Sequence, residues 1–277
     1  MERNLTKGSV LKNLVLFSLP YLLSYFLQTL YGMADLFIIG QYEGVASTTA
    51  VSVGSQVMHM LTVMIVGLAM GTTVNIGRAV GAEDGRDAAI TTGNTVTLFM
   101  TLSVALSLIL LLSVRAIVSV ISTPTEAVDG TMAYLTICFV GIPFITAYNI
   151  ISSIFRGMGD SKSPMEYLIT ASIINIILDL ILVGWLRFGV GAAAFATIAS
   201  QTVSAILAFA KLMRSQEEWA VRWREVRFDG PSLKAVIVQG LPSGVQNSVI
   251  SIANVIVQSN INSFGAQAMA GCGAYSK

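Results

Sequence analysis

Charge-free stretches long enough to cross a bilayer dominate this sequence, and they decide what it can fold into. A membrane-crossing helix needs roughly 20 apolar residues. No charged residue occurs over 13–34, 44–77, 88–114 or 130–155. The run 167–186 is broken only by Asp179, 188–210 is uninterrupted, and 235–276 again carries no charge. Transmembrane strands would instead alternate in segments of about 10 residues, and a run such as LFMTLSVALSLILLLSV (98–114) does not alternate. The sequence therefore predicts an all-α integral membrane protein with six complete helices, a seventh near 235–262 and the start of an eighth. The first span is too long for a signal-peptide core and no small-residue cleavage site follows it, so it is expected to stay in the mature chain.

Composition removes most other classes. Charged residues make up 11% of the chain, against about 25% in a typical soluble domain. Lys plus Arg (16) nearly balance Asp plus Glu (15), which leaves no net field to attract nucleic acid. Cys138 and Cys272 lie in apolar surroundings and suggest neither a disulfide framework nor a zinc site. His59 is the one histidine, and no HExxH motif occurs, so neither an enzyme nor a cofactor is expected. His59 itself reads more readily as a helix–helix hydrogen bond than as a proton relay.

Loop charges set a direction. Arg3, Lys7 and Lys12 precede the first span, Arg78 and Arg86 follow the second, and Arg156 and Lys162 follow the fourth. The segment after the sixth adds Lys211, Arg214, Arg222, Arg224, Arg227 and Lys234, whereas the other side has only Arg115 and Arg187. The N-terminus is expected to be cytoplasmic. Within the polar stretch, Trp219 and Trp223 share one helical face, as in an amphipathic helix lying in the interface.

An internal repeat is also visible. LKNLVLFSLP (11–20) aligns with LKAVIVQGLP (233–242), with identities at Leu11/Leu233, Lys12/Lys234, Leu19/Leu241 and Pro20/Pro242. Six helices return the chain to its starting side, so a second copy would run parallel to the first. The expected division is a six-helix lobe over 1–210, a cytoplasmic linker over 211–232 and the start of a second lobe over 233–277. On this reading the chain is a fragment or a truncated protein.

Polar groups at membrane depth carry the chemistry. A mid-bilayer charge costs something like 2.5–3.5 kcal/mol even on insertion scales, and two carboxylates stand out: Asp35 in the first helix and Asp179 in the fifth. Tyr31 and Asn175 each sit four residues earlier, on the same helical face as their carboxylate. Gln28, Asn149, Thr197 and Gln201 are the other polar groups at depth. Carboxylates, amides and hydroxyls form an all-oxygen set suited to a hard cation such as sodium, and the same carboxylates could carry a proton instead. The alternative is hydrogen bonding between helices alone, the reading favoured for Asn94 and Gln56.

The chain resembles bacterial multidrug and toxic compound extrusion (MATE) transporters. The resemblance is carried by SLPYLLSYFLQTLYGMADLFIIGQYEG (18–44), GRAVGAEDGRDA (77–88), FRGMGDSKSPM (155–165) and NIILD (175–179). It implies twelve helices in two six-helix lobes around a cleft open alternately to either side. It further implies a cation site at Asp35, Asn175, Asp179 and Thr197, with Tyr31 and Asn149 in the same polar pocket. The implied function is export of organic, mostly cationic or amphiphilic, drug-like compounds in exchange for Na+ or H+ across the bacterial inner membrane, with the rest of the second lobe needed for transport. Two alternatives remain at this point: a flippase for lipid-linked precursors, disfavoured because the spans contain no Lys or Arg, and a non-transporting membrane subunit.

Overall fold

The structure is a computed structural model that describes residues 8–121, 123–214, 226 and 228–262. Seven helices run through them: α1 (Val10–Tyr42), α2 (Val45–Gly81), α3 (Gly85–Val120), α4 (Val128–Gly157), α5 (Lys162–Asp179), α6 (Val190–Arg214) and α7 (Gly230–Asn262). A π-helical segment, Leu180–Trp185, carries α5 onward. Six of these elements are long and apolar enough to cross a membrane. The all-helical membrane architecture read from the charge-free runs is the one observed. The boundaries differ modestly. Helix α6 continues to Arg214 and α7 begins at Gly230, both inside the expected 211–232 linker. Trp219, Trp223, Cys272 and the start of an eighth helix lie outside the described residues.

Short connections make successive helices antiparallel neighbours. The start of α1, the turns at 82–84 and 158–161, the end of α6 and the start of α7 therefore share one end of the bundle, here the N-terminal end. Helix α4 is the central post, packed against α2, α3 and α6. Two apolar layers surround it. One, nearer the opposite end, gathers Ile39, Val51, Leu135, Phe139 and Val183. The other, nearer the N-terminal end, gathers Ile76, Phe99, Ile154, Phe155 and Leu212.

Lipid tails are as apolar as Leu, so helices in a bilayer gain little by burying Leu and associate through close backbone approach and interhelical hydrogen bonds. Both devices are present. Thr72 and Thr95 share a hydrogen bond at 3.1 Å between α2 and α3. Thr73 donates to the Ser153 carbonyl at 3.0 Å, Ser107 to Phe139 at 2.6 Å, and Ser204 to Tyr167 at 2.8 Å. Helix α7 meets α2 through Gly240 and Gly244 against Gly67 and Gly71, a small-xxx-small pattern on each helix. A Cβ on Gly71 would collide with the Val236 carbonyl, and one on Gly240 with the Leu68 carbonyl. The start of α7 is fastened to the bundle as well: the Asp229 amide donates to Asn94 Oδ1 at 3.1 Å, while the Asp229 carboxylate caps α7 through Ser232. Asn94, expected to pack, is thus fully buried and bonded. The repeat is visible too, since Pro20 and Pro242 both lie inside 33-residue helices.

Candidate functional site

Two polar regions occupy the bundle. The first lies toward the end opposite the N-terminus. Asp35 on α1 and Asp179 at the end of α5 are buried, as is Asn175, and the two carboxyl groups come within hydrogen-bonding reach of each other. With its amide turned to suit its neighbours, Asn175 donates to Asp179 Oδ2 at 3.1 Å and accepts from the Thr197 amide at 3.3 Å. Thr197 donates its hydroxyl to the Ala193 carbonyl at 3.0 Å, leaving its oxygen to face Tyr31, whose hydroxyl is within reach. One oxygen of each carboxylate, Oδ1 of Asp35 and Oδ1 of Asp179, has no hydrogen-bond partner. The backbone changes to π-helical winding directly after Asp179, a feature that recurs at functional sites. Residues from three helices and thus from distant parts of the sequence converge here. All four residues of the expected cation set, together with Tyr31, come together in this one buried cluster.

Other members of the expected polar pocket are elsewhere. Gln28 and Asn149 line a separate cavity of about 140 Å3 toward the N-terminal end, walled by α1, α2, α4, α5 and α7. Asn149 there donates to the Ile145 carbonyl at 2.8 Å. Gln201 is half-buried one turn beyond Thr197 on α6, and its side chain makes no hydrogen bond among the described residues. His59 lines the same cavity as Gln28 and Asn149.

This cavity contains a residue that the sequence reading placed in a loop. Arg156 lies in the last turn of α4 and turns back into the cavity wall. Its guanidinium sits 5.4 Å from the centre of the Tyr21 ring and donates to Ser153 Oγ at 2.9 Å. The expectation that the spans hold no Lys or Arg is therefore corrected: α4 extends past the charge-free run far enough to take Arg156 with it. The signal was in the spacing. Tyr148, Ser152 and Arg156 are separated by four residues each, and so are Tyr21 and Tyr25, so both helices present a polar face to the cavity.

The FRGMGDSKSPM stretch folds as a fastening for these helices. Gly159 takes a positive φ of 88°, a conformation that costs a side-chain-bearing residue more. Asp160 then accepts from the amides of Lys162 and Ser163 at 3.0 and 2.9 Å and pairs with Lys211 of α6 at 3.2 Å. Burial raises the pKa of the Asp160 carboxyl, but the Ser163 hydrogen bonds and the Lys211 ammonium outweigh it and hold the group below its ordinary value.

Comparison with known proteins agrees with this architecture. The MatE family model matches residues 20–181, more than half of the chain and the whole stretch holding Asp35, Arg156, Asn175 and Asp179. The chain belongs to the MatE family. This MatE chain is 29% identical over 275 residues to the probable multidrug resistance protein YpnP of Bacillus subtilis, covering 97% of the chain and 60% of that relative. It is 30% identical over 265 residues to the probable multidrug resistance protein NorM of Thermotoga maritima, covering 94% and 56%. A solved outward-facing multidrug resistance MATE family transporter of the MOP superfamily superposes with a TM-score of 0.88 at 27% identity, covering 98% of this chain and 60% of that one. The MatE chain thus spans about 60% of the length of relatives it matches.

Proposed function

We propose that the intact protein is a secondary antiporter that exports organic, drug-like compounds, mostly cationic or amphiphilic, in exchange for Na+ or H+. One observation carries this reading: Asp35 and Asp179, buried together, each keep one oxygen without a hydrogen-bond partner. An isolated buried carboxylate is costly, so the pair calls for a cation or a proton. The donor set fits sodium, a hard cation that prefers oxygen. Asp35, Asp179, Asn175 and Thr197 would hold it, with Tyr31 orienting Thr197. A proton shared by the two carboxyl groups meets the same need. The multidrug names of the relatives support the substrate class.

Cation entry down a membrane potential supplies about 2.3 kcal/mol per charge per 100 mV. Neutralising the pair would let the α1 segment around it repack, and Pro20 in the same helix provides a point where the ladder of backbone hydrogen bonds is weaker. The distribution of Lys and Arg favours a cytoplasmic N-terminus in the bacterial inner membrane. The α2–α7 glycine crossing would then close the cytoplasmic end.

The test is ion-driven efflux by the full-length protein reconstituted in vesicles, wild type beside Asp179→Asn. Efflux that follows an imposed Na+ or H+ gradient and is lost in the variant supports the mechanism. Coupled efflux of normal rate in Asp179→Asn at equal protein level overturns it. The lipid-precursor flippase remains the less favoured reading, because Arg156 is the one Lys or Arg lining the cavity among the described residues, short of the cationic cavity that a pyrophosphate group requires.

A further inference from the structure

We propose that the cavity beside Arg156 recognises the oxyanion, a carboxylate or phosphate, of an organic anion. The proposal rests on the exporter reading above and extends its substrates beyond cations. Its basis is an imbalance of charge. A guanidinium offers five N–H donors, and Arg156 commits one to Ser153 Oγ while the Tyr21 ring flanks its charge. None of the ion pairs among the described residues includes it. Among the described residues, none that lines the cavity is Asp or Glu. A cationic compound entering here would meet a positive charge and no negative one, whereas an oxyanion would meet a fork whose geometry matches it.

The neighbouring groups point the same way. Ser152 sits one turn before Arg156 on the same face of α4; the residue is 2% exposed, and the one group within reach of its hydroxyl is the Tyr148 oxygen. Tyr148, beside it, gives its proton to the Pro164 carbonyl at 3.0 Å, so the donors this helix offers the cavity are the Arg156 guanidinium, the second N–H of Asn149 and the Ser152 hydroxyl where it turns from Tyr148. His59 adds a ring nitrogen from α2. Val63, Val66 and Leu168 form apolar wall around these polar groups, against which the body of an amphiphile can lie. A cavity of about 140 Å3 holds an oxyanion with a few waters rather than a whole drug-sized molecule. The remainder of the compound would extend outward between α1 and α7.

The experiment compares two probes that differ in one charge, dansyl-glycine and its neutral amide, by fluorescence titration of the full-length protein in uncharged detergent at fixed salt. Wild type should bind the carboxylate at least tenfold more tightly than the amide. Arg156→Gln should abolish that preference, Arg156→Lys should retain part of it, and the exposed control Lys162→Gln should leave it intact. The preference is a ratio between two probes on one protein, so reduced folding of a variant does not mimic its loss. Equal binding of both probes by wild type, or an unchanged preference in Arg156→Gln, overturns the proposal. Repeating the titration in nanodiscs of phosphatidylcholine with and without phosphatidylglycerol separates the sources of the oxyanion. Arg156-dependent competition by phosphatidylglycerol at equimolar levels would assign the site to a lipid headgroup and overturn the substrate assignment, whereas unchanged binding supports it. No gradient is applied, so failure here leaves ion coupling at Asp35 and Asp179 untouched, and failure of that coupling leaves this result readable.

Discussion

The two polar regions lie along the same face of α1 yet have opposite character. From Tyr21 to Asp35 the helix rises about 21 Å, and over that distance, among the described residues, a cavity with a guanidinium and no carboxylate gives way to a cluster with two carboxylates and no Lys or Arg. In water the two charges would be screened within about 10 Å. In a bilayer they are screened far less, so keeping them apart leaves each unneutralised and available to an external ion. The comparison teaches that the chain separates groups that could have paired. It holds each in a rigid setting, the carboxylates by Asn175 and the turn after Asp179, the guanidinium by Ser153 and Tyr21.

The largest expected effect is a loss confined to one region. Asp35→Asn or Asp179→Asn should reduce gradient-driven efflux to the background of empty vesicles, while Arg156→Gln should change which compounds are exported without removing the dependence on the gradient. Efflux assays on the three variants, with one cationic and one anionic compound, check this, and a variant that lost both properties at once would merge the two regions.

Next in size is the crossing that holds α7 over the cavity. Gly71→Val and Gly240→Val place a side chain against a backbone carbonyl, and overpacking of this kind costs about 1–3 kcal/mol. Thermal unfolding in detergent should show both variants less stable. Crosslinking of cysteines placed on α2 and α7 should also fall. Unaltered stability and crosslinking would mean that the two helices do not meet at these glycines.

A smaller effect separates sodium from protons. Sodium at ten times its dissociation constant should stabilise the protein by about 1.4 kcal/mol, read as a higher melting temperature in NaCl than in KCl. Asp179→Asn should erase the difference and Arg156→Gln should keep it. The absence of any difference in folded wild type would favour the proton.

The smallest effect concerns the fastening at Asp160. Its folded-state pKa is lowered, so its contribution is present above the unfolded value of 3.8 and is lost as pH falls through the lower folded value. Part of the group is solvent-accessible, and such pairs contribute about 0–1 kcal/mol. Asp160→Asn and Lys211→Met should therefore lower the melting temperature by a degree or two at pH 7, with the gap to wild type closing for Asp160→Asn toward pH 3.

Much of this molecule follows from local sequence. Charge-free runs of about 20 residues can satisfy their backbone in lipid only as helices, so the number and approximate place of α1–α6 needed no tertiary information. Pairs four residues apart, Tyr31 with Asp35 and Asn175 with Asp179, fall on one face by helix geometry alone. What local sequence left open was which faces meet. Depth in the membrane was the only coordinate that drew Gln28 toward the carboxylates, and the family resemblance placed Asn149 beside them. Packing of α1 against α5 and of α4 against α2 instead assigns Tyr31 to one region and those two residues to the other. Arg156 shows the same limit in one residue. As the first charge after an apolar run it reads as a loop anchor, and only the turn of α4 beyond that run, with Tyr21 arriving from α1, brings it inside. Composition and periodicity determined that this chain lies in a membrane as helices and where along them its polar groups fall. Tertiary structure alone decided that the acids gather at one level and the guanidinium at another, because contacts between helices far apart in sequence depend on side-chain packing that no single helix records.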